Sequence, residues 1–143
     1  MDYKRLLIGT VVGAVALYVA GWLIFEQLFA GFYETNLSLT AVGREADLEW
    51  SIIVGSVLFA IMIAAVIELL PGPKSIGKGL LAGFLVGLLH WGAADYTFYG
   101  FMNFMTLTVT LIDPVVEGVH AAIAGGVVAI VLGMIGGSRP AAA

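Results

Sequence analysis

The sequence predicts an all-α, polytopic membrane protein with four transmembrane helices, and three observations carry that expectation. Of 143 residues, 61% are hydrophobic and only 11% are charged. The mean hydropathy is +1.05, and the apolar residues fall into four long runs separated by short polar or proline-bearing stretches. Soluble domains carry about a quarter charged residues, whereas about twenty consecutive apolar residues suffice to cross the hydrocarbon of a bilayer. With a formal net charge of -4 and no basic patch, the chain offers nothing to nucleic acid. The absence of cysteine excludes disulfides, thiolate metal sites, iron-sulfur clusters and cysteine nucleophiles.

Residues 6–32 form the first run. Lys4 and Arg5 precede it as they would in a signal peptide, but the apolar stretch continues to Phe32, too long for a signal core, so it reads as a retained span. Gly9, Gly13 and Gly21 punctuate it. Tyr33 to Glu49 is polar and acidic, with Arg44 among Glu34, Glu45, Asp47 and Glu49, and reads as a solvent-side loop. Trp50 marks a membrane boundary, residues 51–70 form the second span, and Pro71-Gly72-Pro73 ends it, because neither proline continues helical hydrogen bonding. Residues 77–100 form the third span, where Gly79, Gly83 and Gly87 line one stripe and invite close approach of another helix.

The fourth span has two possible starts. Pro114 either kinks a long helix running from about Asn103 or opens a shorter one with Asp113 as its N-cap. The shorter helix, 114–135, is preferred, because Thr106 to Ile112 is rich in β-branched residues and 114–135 already suffices to span. Along it Gly118, Ala122 and Gly126 form one small-residue stripe, with Gly125, Ala129, Gly133 and Gly137 on the adjacent one. The tail from Ser138 is expected to be disordered.

With four spans, Lys4, Arg5, Lys74, Lys78 and Arg139 share one side and only Arg44 lies opposite. The positive-inside rule then puts both termini in the cytoplasm of an inner membrane. An offset of 69 residues lays Trp22, Glu26, Phe29, Gly31 and Phe32 on Trp91, Asp95, Phe98, Gly100 and Phe101. Such an echo fits two helical hairpins related as a 2+2 parallel repeat, with Glu26 and Asp95 equivalent.

Trp22-Leu23, Phe32-Tyr33, Asp95-Tyr96, Tyr99, Asn103 and the Thr/Val run into Asp113 together resemble a family of bacterial membrane proteins known only as a domain of unknown function. The sequence departs from that pattern in having Ala20-Gly21 where the family carries an acidic residue before its Trp-Leu. What the resemblance implies is a four-helix fold; it supplies no catalytic residue.

At about 1.5 Å per residue, Glu26, His90, Asp95, Glu117 and His120 fall roughly 6 to 15 Å below the outer boundary, in one polar layer that Asp113 borders. Ionisable groups at that depth need partners or a function. Glu117 and His120, at i and i+3, would share a helix face as a hydrogen-bonded pair or as metal ligands. His90 and His120 on facing helices would suit the axial positions of a b-type haem. Asp95 and Glu26 would suit a proton relay or ion site, or structural hydrogen bonds near hydrated lipid headgroups. Glu68 belongs to the opposite end, paired with Lys74 or Lys78. No nucleophile elbow, zinc-protease motif or phosphate loop occurs, so enzyme chemistry is disfavoured. The leading functional expectation is a small accessory subunit or homo-oligomer, since the stripes of the fourth helix exceed what one bundle buries. A haem or metal redox module and a proton-coupled or ion-conducting protein are the alternatives.

Overall fold

Glycine decides which helices meet backbone to backbone. In the computed structural model, which describes residues 2–38, 44 and 46–136, the chain is helical throughout its long apolar runs. Helix α1 spans Tyr3–Gly21 and continues without a break into a π-helical segment, Trp22–Leu28. A short helix α2, Ala30–Asn36, follows. Helices α3 (Glu49–Leu69), α4 (Ile76–Phe101) and α5 (Leu107–Gly136) complete the bundle. Four helical stretches are long and apolar enough to cross a membrane: Tyr3–Leu28, Glu49–Leu69, Ile76–Phe101 and Leu107–Ile135. Residues 137–143, with the expected disordered tail, Arg139 and the last glycine of the stripe, lie outside the described residues, as does Glu45.

The first span therefore stops earlier than the sequence predicts. Asp2 caps its start, accepting from the Lys4 and Arg5 amides at 3.0 and 3.3 Å. At its end the Phe29 amide reaches five residues back to the Ile24 carbonyl at 2.8 Å, and Phe29 leaves the helical conformation at φ -113°, ψ 6°. At the far end of α3 the chain turns through Gly72, whose φ of 74° suits a residue without a side chain. Ser75 then caps α4, accepting from the Lys78 amide.

The fourth helix begins seven residues before the predicted start, and Pro114 lies inside it. Thr106 supplies the cap: its hydroxyl accepts from the Val109 amide at 3.3 Å and its carbonyl from the Thr110 amide at 3.1 Å. Val109 and Thr110 are fully buried, so packing outweighs the small helix penalty of β-branched residues. Pro114, in the second turn, forfeits the bond its amide would have made to the Thr110 carbonyl and the helix runs through. Asp113 is consequently not an N-cap but a buried carboxyl within a helix.

Helix α4 lies flat on α5, α5 packs its other face on α1, and α1 carries α3, which barely touches α4. In lipid, association depends on close packing rather than on expelling water. A Cβ on Gly79 would collide with the Gly125 carbonyl and Ala129; one on Gly83 would collide with the Ala121 backbone; one on Gly87 would stand 2.5 Å from the Glu117 carbonyl. Gly118 and Gly126 receive Phe84 and Leu80, and Gly133 lies against the Lys74 carbonyl. Ala122 lies on this same, partly buried side of α5. The stripes of α5 are thus taken up by α4 within one chain, which removes the argument that they exceed what the bundle buries. On the far side Leu17, Ala60, Ile63, Ala64, Ala124 and Val128 form the core.

Glu68 is not paired with a lysine. Its two carboxylate oxygens accept from Arg5 Nε at 3.0 and 3.1 Å, tying α3 to α1. Lys74 is occupied in capping α3, donating to the Leu70 and Glu68 carbonyls at 2.5 and 3.1 Å, and Lys78 donates to Pro71.

Replacing Gly83 by leucine should cost at least about 2 kcal/mol by overpacking the α4–α5 seam. Gly55→Ala, whose methyl meets nothing within 4 Å, should match or slightly exceed the wild type. Unfolding titrations in mixed detergent micelles would distinguish the two.

Candidate functional site

Because α5 starts at Leu107, Asp113, Glu117 and His120 stand at i, i+4 and i+7 and form one polar stripe along its inner face. All three are buried, at 9%, 7% and 8% exposure, and so is Asp95 of α4 at 3%. The flat α4–α5 contact puts Asp95 on the same side as this stripe, where it lines one pocket with Asp113 and Glu117. Asp95, Asp113 and Glu117 line one half-open chamber of about 440 Å³, together with Phe25, Tyr33, Trp91, Phe98 and Phe104. Among the described residues no lysine or arginine lines it.

The outer lid of the chamber is the short α2 together with the loop after α4. The Ser38 amide donates to the Phe104 carbonyl at 2.7 Å, the Thr106 amide to the Asn36 carbonyl at 3.1 Å, and the Thr106 hydroxyl to the Asn36 side chain at 3.0 Å. Leu37 and Met105 pair as an isolated antiparallel bridge. This stitching aims Tyr33 inward, where its hydroxyl donates to Asp113 Oδ1.

His120 is held at both nitrogens. Nε2 lies 2.8 Å from the Leu17 carbonyl, which only accepts, so Nε2 carries a hydrogen. Nδ1 lies 2.9 Å from Glu117 Oε2. One proton occupies that contact whichever partner owns it, so the pair is neutral as a unit. Gly21 makes room for the ring: a Cβ there would stand 3.3 Å from Nε2. Phe25 meets the imidazole edge-on at 5.3 Å.

The six residues of the expected polar layer do not all share this chamber. Asp95, Asp113 and Glu117 converge, and His120 joins them through Glu117. His90 is exposed, beside Phe59 and Trp91 at 5.5 and 5.6 Å, and opens instead on a groove of about 550 Å³ between α3 and α4 that also reaches Glu117 and His120. Glu26 is exposed on the π-helical segment and borders a third space of about 270 Å³, where the Tyr18 hydroxyl donates to Glu49 at 2.7 Å.

For a haem bridging His90 and His120, the second imidazole would have to abandon either Glu117 or the Leu17 carbonyl. For a metal on Glu117 and His120 the same contact would have to open. Among the described residues no three histidine or carboxylate side chains are grouped as metal ligands would be.

Two buried polar atoms lack a partner: the Asp95 Oδ2 oxygen and the Trp91 Nε1 hydrogen-bond donor. The sequence alone does not mark Trp91 or Tyr33 as site residues. Trp91 is within reach of such a reading, since it stands four residues before Asp95 on one helix face; Tyr33 is not, because only the folded lid brings it to Asp113. Compared with protein-family profiles, curated proteins and solved structures, the chain finds no match.

Burial and the bond to Asp113 push the Tyr33 phenol up from its ordinary value of 10.0. The raised folded value means that this contact stabilises the fold fully below about pH 10 and that its contribution is lost as the pH climbs through the raised value. In an alkaline absorbance titration, Tyr33→Phe should leave the phenolate signal of the folded protein unchanged around pH 10, because the removed phenol does not ionise there.

His120→Ala should destabilise the bundle by about 2–4 kcal/mol, since it strands Glu117 and the Leu17 carbonyl. His90→Ala should cost less than about 1 kcal/mol. Thermal unfolding in detergent would compare them.

Proposed function

We propose that this chain is a small proton-handling protein of the inner membrane, coupling protonation of the Asp95–Asp113–Glu117 chamber to movement of charge across the bilayer. The observation that carries this reading is three buried carboxyls in one chamber with no cationic side chain lining it. Three carboxylates cannot all stay ionised in so small a desolvated space. Glu117 is neutralised by the proton it shares with His120, Asp113 accepts from the Tyr33 hydroxyl, and Asp95, with one oxygen unpartnered, is the group left for a proton or a bound cation. Buried intramembrane carboxyls of this kind are characteristic of proton and ion pathways.

The basic residues Lys4, Arg5 and Lys74 gather around one end of the bundle, which supports a cytoplasmic placement of both termini under the positive-inside rule. The chamber then belongs to the outer half. Each half of the chain packs as a hairpin, α1 on α3 and α4 on α5, which supports reading the 69-residue echo as a duplicated hairpin. Proton handling stands ahead of an accessory subunit or homo-oligomer, whose support from surplus glycine stripes is taken up inside the chain. It also stands ahead of a haem module, since both nitrogens of His120 are engaged.

The test is proton uptake into proteoliposomes under an imposed membrane potential, read by an entrapped pH dye. Wild-type protein should exceed empty liposomes, Asp95→Asn and Asp113→Asn should lower the rate about tenfold or more, and Glu26→Gln should leave it unchanged. Rates equal to those of empty liposomes, or unaffected by both chamber variants, overturn the proposal.

A further inference from the structure

The chamber has the chemistry of an organic-cation site, and this inference rests on the proton-handling reading while naming what exchanges with the proton. Its walls combine two features that bind ammonium groups in concert. The first is a set of carboxyl groups with no lysine or arginine among the lining residues: Asp95, Asp113 and Glu117. The second is a set of aromatic rings from four parts of the chain, Phe25, Tyr33, Trp91 with Phe98, and Phe104. Ring faces attract cations, most strongly when water is excluded, and aromatic cages are the standard way of holding quaternary ammonium groups. A volume of about 440 Å³ lies within the range of sites for small organic molecules.

The unpartnered groups point the same way. Asp95 is 3% exposed, yet its Oδ2 has no hydrogen-bond partner, and it faces the chamber. The other carboxyls are committed: Asp113 accepts from Tyr33, and Glu117 is bound to His120. One carboxyl oxygen is therefore left without a partner, and the Trp91 indole N–H, on the wall of the same chamber, is another unpartnered buried group. A bare metal ion would need several oxygen ligands at close range. An alkylammonium needs one opposite charge and apolar surface around it.

We infer that the chamber binds a monovalent, hydrophobic organic cation, with the ammonium against Asp95 and the hydrocarbon among the rings, in exchange for one proton of the chamber's carboxyl groups. One cation enters and one proton leaves, so the charge of the chamber is unchanged. The titratable groups lining the chamber with Asp95 are Asp113 and Glu117 from α5, with His120 behind Glu117, and Tyr33 from α2; the π-helical segment presents only Phe25, and its exposed Glu26 borders a different space.

The experiment uses the full chain in detergent, with benzyltrimethylammonium as the probe and neopentylbenzene, its neutral isostere, as the control. Calorimetry reads binding and an indicator dye in weak buffer reads proton release. The expected result is saturable binding of the cation at about one per chain, about one proton released, no saturable binding of the isostere, and affinity falling as the pH is lowered. Asp95→Asn should weaken binding about tenfold or more, and Phe104→Leu severalfold. Equal binding of cation and isostere, or no cation binding across the pH range, overturns the cation site while leaving the proteoliposome result as it stands. Cation binding without proton release leaves the site but removes its coupling to protons. The comparison of the two probes needs no variant, so a failure of Asp95→Asn to fold does not blunt it.

Discussion

The contact of α4 with α5 at backbone distance governs everything else in this bundle. Lipid offers no hydrophobic drive for helices to associate, so van der Waals contact between bare backbones has to supply it. Gly79, Gly83 and Gly87 remove the side-chain layer along one face of α4, and Ala121 and Gly125 remove it from α5. The same seam continues outward to Asp95 and Asp113. At ordinary helix separation the two carboxyls would look at each other across a gap that lipid or water could fill. At glycine separation they share a desolvated space, and their chemistry follows from that closeness.

The two ends of the bundle solve the problem of charge in opposite ways. At the basic end, Arg5 and Glu68 neutralise each other across α1 and α3, while Lys74 and Lys78 settle on the carbonyls left unpaired where α3 stops. Arg5, Glu68, Lys74 and Lys78 each have their answer in another fixed group of the protein. In the chamber, His120 answers only one of three carboxyls. Asp113 accepts from the Tyr33 hydroxyl and Asp95 keeps an oxygen without a partner, so among the described residues no fixed cation answers either of them.

Much of the architecture is written in composition and spacing. The four apolar runs stand out because a bilayer demands uninterrupted length, and the four-residue glycine period of α4 marks the face that α5 covers. The start of α5 is not legible, because it turns on a threonine cap and on the burial of Val109 and Thr110, both of which depend on neighbours distant in sequence. That single boundary hid the site. With Pro114 as a helix start, Asp113 is a cap facing solvent; with the helix running through, it joins Glu117 and His120 on one stripe. The Arg5–Glu68 pair escaped for a related reason, since nothing in either segment signals that α1 and α3 lie side by side. Glu26 and Asp95 look alike in sequence, yet the π-helical winding around Glu26 and the regular helix around Asp95 give them different surroundings.

The bond from His120 to the Leu17 carbonyl has a kinetic meaning. An imidazole conducts protons by accepting at one nitrogen and releasing from the other, and a carbonyl of the main chain has nothing to hand onward. For a proton on Glu117 the ring is therefore a terminus, and no continuous wire passes through it toward the basic end of the bundle. Under the proton-handling proposal, passage in that direction would require the contact between His120 and the Leu17 carbonyl to open and re-form. Any flux through this protein would accordingly have the turnover of a carrier, saturating with load, rather than the open throughput of a pore.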